Sequence, residues 1–273
     1  MDDKKKSNIK VRVKYSKTGP LKFISHLDVM RYFQKNIRRA GLDIAYTTGL
    51  SPHQVISFAA PMPLMLTSKA EYFDAEFVNL PSHDEFLRRL NESGTEHMKV
   101  LDAAVLPEKT LNSMAAVTAS SYQVTLTEKG ANEIGAVWQS DFPSVLEDMV
   151  QADSIVVMKK TKTREEPTDI RNMIHELSFS PAPNGLTDSN ESDKNEDPKE
   201  KQAIYMLLAA GSKVNLRPEQ VLTEICRRSG EKFDRFHYDI LRLETYMNPP
   251  ESDEGSEDKR RFVPLIEAGN RTF

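Results

Sequence analysis

Ile9-Lys10-Val11-Arg12-Val13-Lys14-Tyr15, followed by Ser25-His26-Leu27-Asp28 and the run to Gly41, decides the reading of the first half of the chain. The first stretch alternates strictly, which is the period of a strand with one buried face. Ile9, Val11, Val13 and Tyr15 fall on one side, so the other side is expected to present Lys10, Arg12 and Lys14 to solvent. Lys17–Pro20 reads as a turn. Ser25 to Asp28 has the form of a capping box ahead of an apolar-periodic run, which places a helix at about 26–40 ended by Gly41. On that helix Val29, Met30, Phe33, Ile37 and Ala40 share an arc, and Arg31, Lys35, Arg38 and Arg39 lie roughly opposite.

Outward from this unit, Ile44–Thr47 and Val55–Ala59 read as strands around a turn at Gly49-Leu-Ser-Pro-His53. Pro61 and Pro63 break the chain before a strand at Tyr72–Val78; Ser82 to Glu85 is a second capping box, opening a helix to about Glu92, and Lys99–Val105 is a strand. Strand, helix, strands, helix, strand is the split βαβ order of a ferredoxin-like sandwich. After a connector at 108–119 the pattern restarts with a strand at Tyr122–Thr127, a helical stretch ending near Gln151 and a strand at Ser154–Thr161. Strands at His175–Ser180 and Ala203–Ala210 flank a polar segment, 181–201, that has little to bury and is expected to be a disordered loop. Arg217-Pro218 starts a helix ended by Gly230, and His237–Tyr246 is a last strand. The expected fold is therefore α+β: two ferredoxin-like domains in tandem, 1–107 and 120–247, followed by an acidic tail, 248–273.

The chain has 273 residues, 38% hydrophobic and 29% charged, with a mean hydropathy of −0.54, as expected for a soluble protein of two modest domains. Ala203–Ala210 is among the longest apolar runs and is too short to span a membrane, and the start MDDKKKSN lacks the apolar segment of a signal peptide, so a cytoplasmic protein is expected. One cysteine, Cys226, excludes a disulfide framework, a cysteine-based zinc site and the three-cysteine cradle of a radical-generating iron–sulfur cluster. The net charge of −4 hides an asymmetry: residues 1–57 hold twelve Lys and Arg against four Asp.

Ser16-Lys-Thr-Gly-Pro20, Phe23-Ile-Ser-His-Leu-Asp28, Arg38-Arg-Ala-Gly41, Gly49-Leu-Ser-Pro-His53 and Ile56-Ser-Phe-Ala59 together resemble the signature of the radical-SAM-linked protein family. Asp169-Ile-Arg171 and Arg217-Pro-Glu-Gln-Val221 also match. That bacterial domain occurs alone or joined to cobalamin-type radical SAM proteins, often near a gene for a ribonuclease of the E/G type. The resemblance implies an accessory role near RNA processing or near a radical SAM enzyme on a separate chain, and it assigns no catalytic residue. Two positions depart from it: Gln54 stands where the family commonly has proline, and Met65 where it commonly has glycine.

Lys10, Arg12, Lys14, Lys22, Arg31, Lys35, Arg38 and Arg39 are the candidate RNA-binding residues. A ferredoxin-like sandwich leaves one sheet face open, and RNA-recognition modules use that face with stacking aromatics, for which Tyr32 and Tyr46 are available. Strand and helix cations would lie on opposite sides of such a sandwich, so one continuous patch does not follow. A solvated basic surface is the plain alternative. His26, Asp28 and His53 are the candidate catalytic cluster: two imidazoles acting as acid and base on a phosphodiester, with Lys22 stabilising charge. Each also has an ordinary role, Asp28 as a first-turn acid and the histidines in a helix start and a turn.

No spacing copies a metal-ligand motif and no cofactor is implied. Gly49–His53 reads as a turn, Lys159–Arg164 as a solvated loop, Asp169 and Arg171 as a structural pair, Cys226 as semi-buried, and Met62–Met65 as hydrophobic filling. The expected function is an accessory RNA-associated module. A metal-independent RNA-processing enzyme and a protein-interaction adaptor without RNA contact are the alternatives.

Overall fold

The structure, a computed structural model, describes residues 8–160, 165–181, 202–212, 214–249 and 262–273. In chain order the elements are β1 (Ile9–Lys17), α1 (His26–Arg39), β2 (Ile56–Phe58), β3 (Thr67–Phe77), α2 (His83–Glu92), β4 (Val100–Val105), α3 (Ser113–Ala116), β5 (Val117–Leu126), α4 (Glu128–Ser140), α5 (Phe142–Gln151), β6 (Val156–Lys160), β7 (Glu165–Asp169), β8 (Ile174–Pro181), β9 (Gln202–Ala209), α6 (Pro218–Arg228), β10 (Tyr238–Met247) and β11 (Val263–Pro264). The fold is mixed α+β. Two compact units divide it: unit 1 comprises 1–120, 210–213 and 242–273, and unit 2 comprises 121–209 and 214–241.

In unit 1 the central strand β1 runs antiparallel to β3, with Val13 opposite Phe73, and antiparallel to β4, with Val13 opposite Ala103. β2 pairs antiparallel with β3 through Phe58 and Phe73. The expected strand at 44–47 contributes only isolated bridges, Ile44 with Phe77 and Tyr46 with Gln54. Val11, Val13 and Tyr15 share one core with Val29, Phe33 and Ile37 of α1 and Phe86 and Leu90 of α2. Aromatic rings fill its centre: Phe33 lies 4.5 Å from Tyr15 and 4.7 Å from Phe73, centroid to centroid, in tilted and edge-on arrangements that the ring quadrupoles favour.

The basic face of β1 is covered, contrary to the expectation from its alternation. Tyr72, Ala70 and Ala104 on that side pack with Ala116, Val117, Met247, Val263, Leu265 and Ile266 in a second core, and Arg12 is 0% exposed. Alternation assigns Arg12 to solvent because a lone buried cation is prohibitive, but the register places Asp74 directly opposite it and removes that objection. The covering residues come in part from a segment expected to be tail. Val263, Leu265 and Ile266 are buried, Asn270 exchanges backbone hydrogen bonds with Val105, and the Phe273 carbonyl accepts from the His83 N–H at 2.9 Å. Residues 250–261 lie outside the described residues.

Helix starts follow the sequence, with one difference. Ser25 caps α1 as expected, its Oγ accepting from the Asp28 N–H. Ser82 precedes α2 but makes no side-chain cap hydrogen bond. Between β1 and α1 a 3-10 turn, Gly19–Phe23, begins at φ +53, where a Cβ would also stand 2.7 Å from the His97 ring. Gly19→Ala should therefore cost about 1–2 kcal/mol from the left-handed backbone alone, read as a lower unfolding midpoint. An unchanged midpoint would mean that the turn adopts another conformation.

In unit 2 the strand order is β10-β5-β9-β8, with β8 antiparallel to β9. β5 and β10 each have residues in both units. The strand expected at 154–161 is β6 (Val156–Lys160 in the described residues), which pairs with β7 in a separate two-stranded sheet. The helical stretch before it is two helices, divided at Asp141, with Pro143 in the first turn of α5. Trp138 fills the core between Phe142 and Phe179, each 5.4 Å away. Of the loop expected at 181–201, Pro181 is instead the last residue of β8, opposite Gln202, and 182–201 lie outside the described residues.

Candidate nucleic-acid interface

α1 presents the charge pattern that its periodicity predicts. Phe33 and Ile37 are fully buried, and Arg31, Lys35, Arg38 and Arg39 are all exposed. Arg31 lies 3.5 Å from Asp28, a loose pair between two half-exposed or more exposed side chains. Lys35, Arg38 and Arg39 have no ion-pair partner among the described residues. On α2 the situation is different, because Arg88 and Arg89 both donate to Glu85 and Arg88 also donates to Glu92. The uncompensated positive charge of this side of unit 1 is therefore concentrated on α1.

The β1 cations separate from this set. Arg12 donates from Nε and Nη2 to the two Asp74 oxygens at 2.8 and 3.1 Å, and to the carbonyls of Leu265 and Leu111. Four of its five N–H donors are committed inside the protein and the side chain is fully buried, so it does not face a phosphate. Lys14 pairs with Glu244, and Lys10 lies 3.9 Å from Asp74. Lys22 sits over the exposed Phe23 ring at 5.6 Å. Of the two stacking candidates, Tyr32 directs its hydroxyl inward, accepting from the Thr95 N–H at 3.0 Å, whereas Tyr46 is half exposed.

His26, Asp28 and His53 each have separate partners. The His26 ring stands edge-on to Phe58 at 5.4 Å. Burial is the main cause that lowers its pKa, which favours the neutral imidazole. Asp28 accepts from the Ser25 hydroxyl at 2.7 Å, and that bond, with Arg31 nearby, holds its carboxyl below the usual range. His53 exchanges hydrogen bonds with Thr47 through its ring Nδ1 and its backbone N–H. No hydrogen bond links the three to one another.

A buried charge cluster escaped the sequence reading. Lys17 is 4% exposed, Glu71 6% and Arg242 5%, and Arg242 Nη1 donates to Glu71 Oε1 at 2.8 Å and to the Ala60 carbonyl. Burial lowers the pKa of the Lys17 ammonium, and Glu71 and Arg242 act on it in opposite directions. The same two groups act on Tyr15, whose pKa burial raises, and Glu71 and Lys17 both act on His26. Lys17 lies in one of the signature segments, but nothing in the spacing ties it to residues more than fifty positions away.

The remaining candidates take structural roles. Asp169 accepts from the backbone N–H groups of Ile155 and Arg171, and the Arg171 guanidinium donates to carbonyls of Val150, Ala152 and Ile174. Cys226 is 1% exposed with its Sγ 3.1 Å from the Tyr238 hydroxyl, and burial raises its pKa. Met62 is buried, Leu64 is exposed, and Met65 has φ +70, the left-handed region that favours glycine. Among the described residues no three His, Cys, Asp or Glu gather as metal ligands, and no helix is long and apolar enough to cross a membrane.

Residues 10–218 match the family model described as "Uncharacterized protein conserved in bacteria (DUF2344)". The chain belongs to this family. The match spans both units and includes β1, α1 and the start of α6, hence Lys17, His26, His53 and the α1 cations. No curated protein matches the chain.

Proposed function

We propose that this DUF2344 protein is an accessory RNA-associated module of the cytoplasm that works beside a radical SAM enzyme carried on another chain. The observation that carries the RNA reading is the exposed row Arg31, Lys35, Arg38 and Arg39 on α1, three of whose cations have no acid partner among the described residues. Polyanion binding draws its affinity from such cations through release of counterions. The radical SAM association is supported by the signature resemblance. Two strand orders, β4-β1-β3 with β2 on β3 and β10-β5-β9-β8, support a ferredoxin-like reading of both halves, with β6 and β7 as an insertion in the second.

This reading differs in one respect from an RNA-recognition module. The sheet face away from α1 and α2 is filled by the second core, so contact is assigned to the outer face of α1. A specific observation favours the adaptor as second reading: Phe23 and Leu27, beside the start of α1, are 59% and 60% exposed. Titrating a fluorescent single-stranded RNA with the full chain separates the two. The proposal expects binding that weakens steeply with salt and no RNA turnover in EDTA. Absence of binding at low salt leaves the adaptor, and turnover in EDTA would make the protein a metal-independent nuclease.

A further inference from the structure

The two-stranded sheet of unit 2 has one blunted edge and one open edge. Pro167 stands opposite Met158 in the β6–β7 ladder, and a proline has no N–H to give, so that pair is of the non-hydrogen-bonded kind. The Ile170 N–H donates to the Ile155 carbonyl at 2.8 Å, which gives the same alternation from the other end of the strand. Val156 and Met158 therefore turn their N–H and C=O groups away from β7, and no other strand pairs with β6 among the described residues. The outer edge of β7 lacks a donor at Pro167, a common way of protecting an edge strand. Val156 and Met158 keep theirs.

The open strand borders a cleft of about 840 Å³, a size usual for ligand clefts, whose other wall is α6. Val156, Val157 and Met158 all line it, so the strand meets the cleft with its backbone as well as its side chains. Val156 and Met158 are 56% and 62% exposed. On the other wall Arg217, Gln220, Glu224 and Arg227 recur at helical spacing and form one stripe. Glu224 is already neutralised by Arg227 and Arg228, at 2.8 and 2.7 Å, and Arg217 has no ion pair among the described residues. This wall is positive.

We propose that the cleft binds an extended segment of a partner protein, which adds to β6 as a third strand and alternates apolar with acidic side chains. The outward N–H and C=O groups of Val156 and Met158 supply the main-chain pairing of strand addition. Apolar side chains suit Val156 and Met158, and carboxylates suit Arg217 and Arg227. A nucleic acid would engage the arginines but leave the strand edge unpaired. The site belongs to unit 2 alone and does not rest on the α1 cations.

The test is a nuclear magnetic resonance titration of the full chain with a blocked hexapeptide of alternating valine and glutamate, taken to millimolar concentration. The Val156 and Met158 amides should shift saturably and exchange more slowly with solvent. A fully N-methylated form of the peptide, which cannot pair as a strand, should not bind. Arg217→Ala should weaken binding about tenfold, the size of one charge-assisted hydrogen bond. Met158→Pro should abolish binding and keep the ladder to β7, because the N–H it removes points outward. The N-methylated peptide carries the same test without altering the protein. Gln at Arg31, Lys35, Arg38 and Arg39 should leave peptide binding intact, so failure of the RNA reading and failure of this one are distinguishable.

Val156 and Met158 amides that do not respond at millimolar peptide, or that respond equally to the N-methylated form, overturn the proposal. Slow exchange of both amides in the free chain overturns it too: the edge would then be paired already by this chain or, where protection grows with protein concentration, by a second copy.

Discussion

Arg12→Met should lower the unfolding midpoint by roughly 6–20 °C and leave RNA affinity unchanged. The substitution keeps most of the buried stem but strands Asp74, which is 3% exposed and relies on Arg12 for its charge balance. Removing one partner of a buried ion pair typically costs about 3–5 kcal/mol, and at this chain length each kcal/mol moves the midpoint by about 2–4 °C. The carbonyls of Leu111 and Leu265 lose their donor as well, which adds to the penalty. Introducing Asp74→Asn in the same chain should recover part of the loss, because no charge then remains buried, while the Ser113 N–H keeps an acceptor. A midpoint that hardly moves, together with weakened RNA binding, would return Arg12 to the surface and refute the second core of unit 1.

The sequence made the helices more legible than the faces of the strands. α1, α2 and α6 begin where Ser25, Ser82 and Pro218 indicate, because a period of 3.6 with a start signal is a local property. Which side of β1 meets solvent is not local. Lys10, Arg12 and Lys14 look alike in the alternation, and their fates are decided by Asp74 and Glu244, which lie 62 and 230 positions away from Arg12 and Lys14. The C-terminal segment was misread for a related reason. Its acidic run hides Val263, Leu265 and Ile266, whose burial depends on a sheet face that the sequence had already assigned to water.

The candidate sites follow the same division. The α1 cations were legible because helix periodicity alone separates them from Phe33 and Ile37. His26 and His53 were singled out by residue type, and each keeps its own neighbours, Phe58 for one and Thr47 for the other. The Lys17 cluster was not legible, since Glu71 and Arg242 read as ordinary strand charges until the fold brings them together 171 residues apart in sequence.

The measurement that bears most directly on the RNA role is the salt dependence of RNA binding by a variant carrying Gln at Arg31, Lys35, Arg38 and Arg39. Each lost phosphate contact on a single strand flattens the slope of log affinity against log salt by about 0.7, so four contacts account for about three units and up to about 10³-fold in affinity at 0.1 M salt. Stability should change little. The side chains are exposed, Gln is a good helix former, and each exposed substitution is expected to stay within about 0.5 kcal/mol, with a further few tenths for losing Arg38 and Arg39 near the helix C-terminus. A flattened slope with a nearly unchanged unfolding midpoint is the predicted result. An unaltered slope and affinity in a folded variant would contradict it and remove RNA from the outer face of α1.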